Sequence, residues 1–331
     1  MINNLGGRKI VFTNSSILVT GGTGSWGIEL VKQLLTLNPR KITILSRNEN
    51  RQVIMRRNFE DTRLHFCIGD IRDRDTMNSA CSGVDYVFHL AALKHVTVCE
   101  ENPIEAFKTN ILGTYNVIEA ATNNNVKKVM YVSTDKAADP ANTYGMTKAL
   151  GEKLIIHASE TNSNTKFFCI RGGNVLGSSG SVLPLFIKQL EEQNRIMITD
   201  KRMTRYFVTP EYAIETLLQA AELGTGGEIF VMHMNACKIL DLAEVLIEHF
   251  QKKDVDIIEI GARNGEKLHE VLVAENEERF ASVFNKDLIR ISTKATGKEN
   301  ASIPTVLLDT KQRLMTKQEI KDLLEEGGFL N

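Results

Sequence analysis

Ser133-Thr134-Asp135-Lys136, followed closely by Tyr144-x-x-x-Lys148, gathers a carboxylate, two amines, a phenol and two hydroxyls into one short stretch. Tyr144 and Lys148 stand four apart at the start of a helical pattern, so phenol and ammonium share one face and lie within mutual reach. Lys148 can lower the phenol's pKa, which suits Tyr144 to shuttle the proton of an alcohol being oxidised. Thr134, just upstream, supplies a third hydrogen bond. These groups suffice for alcohol–ketone interconversion, although Tyr-x-x-x-Lys also arises by chance in many helices.

Asp135 and Lys136 call for a further reaction. Oxidising a sugar at C4 acidifies the C5 proton, because the adjacent ketone stabilises the carbanion. Lys136 then serves as the base at C5, and Asp135 as the acid that protonates the departing C6 hydroxyl. The scheme requires a depressed Lys136 pKa and a raised Asp135 pKa, as in a desolvated, closed site. By spacing alone, an exposed Asp-Lys turn after a strand accounts for the same residues.

These residues must be held by a sheet. Apolar runs alternate with amphipathic stretches from Ser16 to about Gly177, the pattern of a parallel sheet wound with helices on both faces. The expected strands are Ile17–Thr20, Lys41–Arg47, Leu64–Asp70, Tyr86–Ala92, Lys128–Thr134 and Lys166–Arg171. The expected helices are Trp26–Leu37, Asn50–Glu60, Asp75–Cys81, Pro103–Asn123 and Tyr144–Thr161. After Gly177 a Gly/Ser cluster leads to shorter elements: helices Val182–Glu192, Glu211–Glu222 and Ile239–Gln251, and strands Ile196–Thr199, Ile229–Met232 and Asp256–Ile260. Beyond Lys298 come one apolar run, Val306-Leu307-Leu308, and a charged helix, Lys317–Glu326, that docks on the fold or only caps it. The fold class is α/β, a Rossmann-like doubly wound parallel sheet over residues 1–177. Residues 178–331 form mainly a smaller substrate-binding lobe, with some segments returning to the first domain.

The first strand runs into Gly21-Gly22-Thr23-Gly24-Ser25-Trp26-Gly27 and then a helix. Glycines at 21, 24 and 27 suit a tight turn, close approach to a pyrophosphate and close helix–strand packing, with the helix N-terminus holding the negative charge. Gly clusters are often ordinary turns; the position after the first strand makes this one a dinucleotide loop. The second strand ends at Ser46-Arg47-Asn48, where an NAD site usually carries a carboxylate, and Arg51 follows one turn on. A hydroxyl and two guanidiniums suit a 2′-phosphate, so NADP is favoured over NAD. The bland account is that Arg47 and Arg51 solvate a helix start. Asp70 and Ile71 are placed to meet adenine, Ala91, Ala92 and Lys94 the inner ribose, and Lys148 the nicotinamide ribose.

Composition bounds the reading. With 331 residues the chain buries a substantial core without disulfides or metals. Lys plus Arg number 40 against 41 Asp plus Glu, which argues against nucleic acid as a partner. Five cysteines without a Cys-x-x-Cys pair read as buried thiols in a reducing compartment. No apolar leader or membrane-length run occurs, so the expected location is cytoplasmic with no membrane partner. No metal is expected: Lys94, His95 and His269 fall in no cluster with metal spacing.

Together, Gly21-x-x-Gly24-x-x-Gly27, Thr134-Asp135-Lys136 and Tyr144-x-x-x-Lys148 resemble the extended short-chain dehydrogenase/reductases. Within them the chain looks like the UDP-N-acetylglucosamine 4,6-dehydratases of bacterial polysaccharide and nonulosonic-acid biosynthesis. Dehydratases acting on dTDP-glucose carry Asp-Glu after the Thr, whereas the amino-sugar group carries Asp-Lys, as here. The likeness runs through Ala91–Val96, Lys108-Thr109-Asn110, Met203–Phe207 and Gly265–Glu270 and fades after about Val273. It implies that Lys94, Asn174 and the Gly180-Ser181-Val182 loop contact a UDP-amino sugar, that Arg205 and Arg263 pair with its diphosphate, and that Glu266 binds the nucleoside ribose. Arg205 as a surface ion-pair partner and Glu266 as a solvated helix residue are the bland accounts.

The family segment Arg-Tyr-Gly-Asn, then Gly-Ser-Arg-Gly-Ser, here reads Arg171-Gly172-Gly173-Asn174 and Gly177-Ser178-Ser179-Gly180-Ser181, so an aromatic and an Arg are missing from the sugar pocket. The resemblance further implies a homo-oligomer, built through helices such as Pro103–Asn123 and Tyr144–Thr161; some relatives carry a membrane-anchored N-terminal extension and a longer C-terminal segment, neither of which is expected here. Two other functions fit the same fold: a sugar-nucleotide 4-epimerase or ketoreductase using only Thr134, Tyr144 and Lys148, and a non-catalytic NADP-binding sensor.

Overall fold

A computed structural model of the protein describes residues 9–162, 164–178, 180–292, 310 and 313–330. Six strands alternate with helices in the first half: β1 Ser16–Thr20, β2 Lys41–Ser46, β3 Leu64–Ile68, β4 Tyr86–His89, β5 Lys128–Thr134 and β6 Lys166–Gly172. The strands after them are β7 Asn174–Val175, β8 Arg195–Ile198, β9 Thr204–Val208, β10 Glu228–Met232, β11 Asn235–Lys238, β12 Asp256–Glu259, β13 Ala281–Val283 and β14 Leu288–Ser292. The main sheet has nine strands in the order β13-β14-β10-β6-β5-β4-β1-β2-β3. It is parallel from β3 to β10, and β14 and β13 extend it in antiparallel register. β1, buried at every position, reads as the near-continuous apolar run of a strand covered on both faces.

The strand order reverses between β1 and β4, which opens a crevice at the carboxyl edge of the sheet. Helix Ser25–Thr36 packs on helix Pro210–Leu223, while Arg74–Ala80, Gly113–Asn123 and Thr143–Thr161 form a further helical layer. A second core, with Leu183, Phe186, Ile196, Leu242 and Leu324, lies under two small sheets, β11-β9-β7 and β12-β8. Helix Lys317–Glu326 docks there: Ile320 and Leu324 are buried, and Lys317 Nζ meets Glu244 at 3.0 Å. The Val306–Leu308 run lies outside the described residues.

The differences from the sequence reading gather at the crevice. β3 ends at Ile68 and β4 at His89, earlier than expected, because Gly69–Ile71 and Leu90–Lys94 leave the ladder to line it. The expected single helix Pro103–Asn123 contains a wide π turn, Lys108–Leu112, that carries Asn110 inward. Helix Val96–Glu101 and strands β9, β11, β13 and β14 are elements the periodicity did not reveal. All five cysteines are free thiols, four of them buried. Among the described residues no helix is long and apolar enough to cross a membrane, and no cluster could hold a metal ion.

Candidate active site

Gly21 begins the crevice. Its φ of +70° and the backbone of Ala91, 2.8 Å from where a Cβ would stand, leave room for no side chain. Helix Ser25–Thr36 then starts with its N-terminus toward a cleft of about 540 Å³. Gly21, Thr23, Gly24, Ser25, Trp26 and Gly27 line one end, Ser46, Arg47, Arg51, Asp70 and Ile71 the next wall, and Ala91, Ala92 and Lys94 the floor. Small residues, amide donors and a helix N-terminus make this a cradle that fits a dinucleotide.

The wall at Ser46 is built by a residue the sequence reading did not name. Buried Gln52 donates to Ser46 O and Ser46 Oγ, both at 3.0 Å, and to Cys67 O at 2.8 Å. Arg47 is half exposed and lies 3.8 Å from Asp70, whose carboxylate is gripped by Arg72 at 2.7 Å. Partial burial pushes the Asp70 pKa up, but Arg72 and Arg47 outweigh it and hold it lowered. The floor loop is pinned by buried Asn110, which accepts from Leu93 N at 2.8 Å and donates to Leu93 O and Thr147 Oγ1 at 2.9 Å.

At the other end β5 delivers Ser133 and Thr134, and the turn Asp135–Ala137 follows. Thr134 Oγ1 donates to Asp135 Oδ1 at 2.8 Å, and Lys136 Nζ reaches the same oxygen at 3.1 Å. Helix Thr143–Thr161 starts against this turn, capped by Asn142, whose Oδ1 accepts from Gly145 N at 2.8 Å. A Cβ on Gly145 would stand 2.3 Å from Lys136 O, so only glycine lets the helix pass this close. Thr134, Lys136, Tyr144 and Lys148 thereby line the cleft, whereas Asp135, 1% exposed, lies behind them.

Charges here differ from the sequence expectation. Burial pushes Tyr144 up to about 12, and the cation that opposes this is Lys136. Lys148 instead donates to Val132 O at 2.7 Å and sits 3.8 Å over the Tyr131 ring, and burial lowers it to about 7. Lys136, expected to be depressed, is raised: burial works to lower it, but Asp135 and Glu270, 3.3 Å away, outweigh burial. Glu270 is a member of the site that its sequence position alone does not reveal. Its carboxyl is 3% exposed, and burial raises its pKa despite the pull of Lys136.

Of the residues implied for the substrate, Asn174, Gly180 and Ser181 line the cleft beside Gly172 and Gly173, with Gly180 backed onto His95. Val182 begins helix Val182–Gln193 just outside it. Arg205 is not on the cleft: its guanidinium is buried and donates to the carbonyls of Thr204, Lys267 and Leu268. Nor are Arg263, which is exposed, and Glu266, which accepts from Arg263 N at 3.2 Å. They belong to the segment Gly261–Val273, which packs on the turn Asp135–Ala137 and the residues after it through Asn142–Gly265, Asp139–Lys267 and Lys136–Glu270 contacts.

The chain is 42% identical to the UDP-N-acetylglucosamine 4,6-dehydratase (inverting) of Campylobacter jejuni, over 88% of this chain and 87% of that protein. It is 43% identical to the UDP-glucose 4-epimerase of Rickettsia rickettsii, over 95% and 96%. Among solved structures, Pen from Bacillus thuringiensis superposes with a TM-score of 0.92 at 36% identity, covering 97% of this chain and all 100% of that one. Residues 17–292 match the family described as polysaccharide biosynthesis protein, and on this Rossmann-like sheet the chain belongs to that branch of the extended short-chain dehydrogenase/reductases.

Proposed function

We propose that the protein is an NADP-dependent 4,6-dehydratase acting on UDP-N-acetylglucosamine, to give UDP-2-acetamido-2,6-dideoxy-4-hexulose. The observation that carries the reading is the buried Asp135–Lys136 pair, 3.1 Å apart, directly behind and beside Thr134 and Tyr144. A nicotinamide bound in the cradle supplies the hydride acceptor for C4 and the hydride donor for C6. Tyr144 takes the C4 hydroxyl proton as the phenolate, a form that the positive charge of an oxidised nicotinamide beside it would favour against the effect of burial. Lys136 takes the C5 proton as base and returns it to C5 when C6 is reduced, Asp135 gives its proton to the C6 hydroxyl that leaves as water, and the proton gained by Tyr144 restores Asp135.

The raised Lys136 pKa is compatible with this assignment. Passing one proton from the ammonium to Asp135 across their 3.1 Å contact yields a neutral amine and a carboxylic acid together, with no net proton gained or lost. Exclusion of water by a seated sugar favours that neutral pair over the ion pair. Arg47, Arg51 and Ser46 support NADP over NAD. We take residues 1–177 as the cofactor domain and 178–331 as mainly the substrate lobe, with β10, β13 and β14 contributed back to the first sheet. The exposed apolar side chains Ile104, Phe107, Tyr115, Met146 and Leu150 support pairing of copies through these helices, and the protein is proposed to work in the cytoplasm.

Incubation with UDP-N-acetylglucosamine and NADP tests the reading: mass spectrometry should find a product lighter by one water. A product of unchanged mass, epimerised at C4, would instead support the second reading, a sugar-nucleotide 4-epimerase, which the 43% identity to the Rickettsia rickettsii protein favours. Bound cofactor with no turnover of any nucleotide sugar would leave a sensor.

A further inference from the structure

Lys136 is held by two carboxylates, Asp135 at 3.1 Å and Glu270 at 3.3 Å, and the elimination itself uses only Asp135. Glu270 comes from the Gly261–Val273 segment, and its Oε1 lies 3.3 Å from Lys136 Nζ. Its backbone is fixed by buried Thr310, which donates its N–H to Glu270 O at 3.1 Å. The second oxygen, Oε2, is buried with no hydrogen-bond partner, as is Oδ2 of Asp135 on the other side of the amine. A buried carboxylate oxygen without a donor is costly unless the charge has another purpose.

We propose that Glu270 is the positioning residue for Lys136: it holds the amine against Asp135 and decides how readily the Lys136 proton passes to Asp135. This rests on the dehydratase reading for its catalytic meaning, but not for its electrostatics. With Glu270 ionised, the ammonium has two counter-charges and keeps its proton. With Glu270 neutral, only Asp135 remains, and transfer across the 3.1 Å contact gives the amine and the acid together. The other groups facing the pair do not substitute for it. Arg205, from β9, stands 3.9 Å from Glu270 Oε1 and shares the carboxylate. Glu266 lies behind Arg205 at 3.8 Å, and Tyr144, from the helix, is held neutral by burial. Asp139 and Lys267 pair with each other at 2.7 Å.

Removing the Glu270 charge lowers the Lys136 pKa, so the limb of activity that falls as the Asp135–Lys136 pair loses its one shared proton to solvent moves to lower pH. The test is the Glu270→Gln variant, read two ways. Protein carrying carbon-13 at the lysine ε position, with the Lys136 signal assigned from Lys136→Ala, should show the Lys136 titration midpoint about one pH unit or more lower in Glu270→Gln. The descending limb of kcat for water loss should move with it, while cofactor affinity stays as in the wild type. An unmoved or raised midpoint overturns the proposal, as does a shifted midpoint with an unmoved limb. If Glu270→Gln fails to fold, Glu270→Asp, which withdraws the carboxylate by one methylene, should shift both in the same direction by less, and no shift overturns the proposal. A shifted midpoint in a protein that releases no water from UDP-N-acetylglucosamine would sink the dehydratase reading and leave the electrostatic role of Glu270 standing.

Discussion

The cofactor end and the chemical end of the cleft are built on opposite plans. At the cofactor end the chain offers backbone: a glycine at φ +70°, a helix N-terminus, and loops that peel from β3 and β4 to lie along the crevice. At the chemical end it offers side chains from elements far apart in sequence, with Asp135 and Lys136 after β5, Tyr144 on the following helix, and Glu270 from the second lobe. A backbone cradle needs only local geometry, and its electrostatics come from peptide dipoles. A buried acid–amine–acid set needs every member, because removing one leaves the others uncompensated.

That contrast orders the expected effects. Lys136→Ala or Asp135→Asn should lower water loss by about 10²–10⁴-fold while cofactor binding, read by quenching of the lone tryptophan Trp26, is retained. A loss of cofactor binding of the same size would merge the two ends into one. Arg171, from β6, ties helix Thr143–Thr161 to the turn before β13: it grips Glu152, one turn beyond Lys148, at 2.6 Å, and Glu277 also at 2.6 Å. Arg171→Met should cost roughly 3–5 kcal/mol in denaturant unfolding, since it strands two acids in the interior.

Gly145→Ala should come next. The added Cβ meets Lys136 O at 2.3 Å and displaces Tyr144 from the turn, so turnover should fall by about 10²-fold with cofactor affinity nearly unchanged. The smallest effect belongs to the cofactor wall. Arg47→Glu should weaken NADP relative to NAD by roughly tenfold, as expected for one lost charge-assisted hydrogen bond. Equal affinities before and after would remove Arg47 from the 2′-phosphate site.

The same contrast explains what was legible in the sequence. β5 is Lys128–Thr134 both by periodicity and in the structure, and the glycine loop and Tyr144-x-x-x-Lys148 lie where local patterns put them. Each is written in consecutive residues. The contact of Glu270 with Lys136 is not, because it exists only where the Gly261–Val273 segment folds onto the turn Asp135–Ala137. Arg205 shows the same limit from the other side: its charge suggests a diphosphate, but burial turns it to the carbonyls of Thr204 and of Lys267, a residue far off in the chain. β9 and β11 escaped because short strands carrying Arg, Thr, Asn and Lys lack a clean alternation. The π turn escaped because a single extra residue barely alters a 3.6-residue period.

The most direct test of the account separates hydride transfer from elimination in one variant. Lys136→Ala, mixed with stoichiometric NADP and UDP-N-acetylglucosamine in a single turnover, should accumulate reduced cofactor and a 4-keto sugar that still carries its C6 hydroxyl, with no exchange of the C5 hydrogen for solvent deuterium. Water loss and C5 exchange at the wild-type rate in that variant would contradict the assignment of Lys136 as the base.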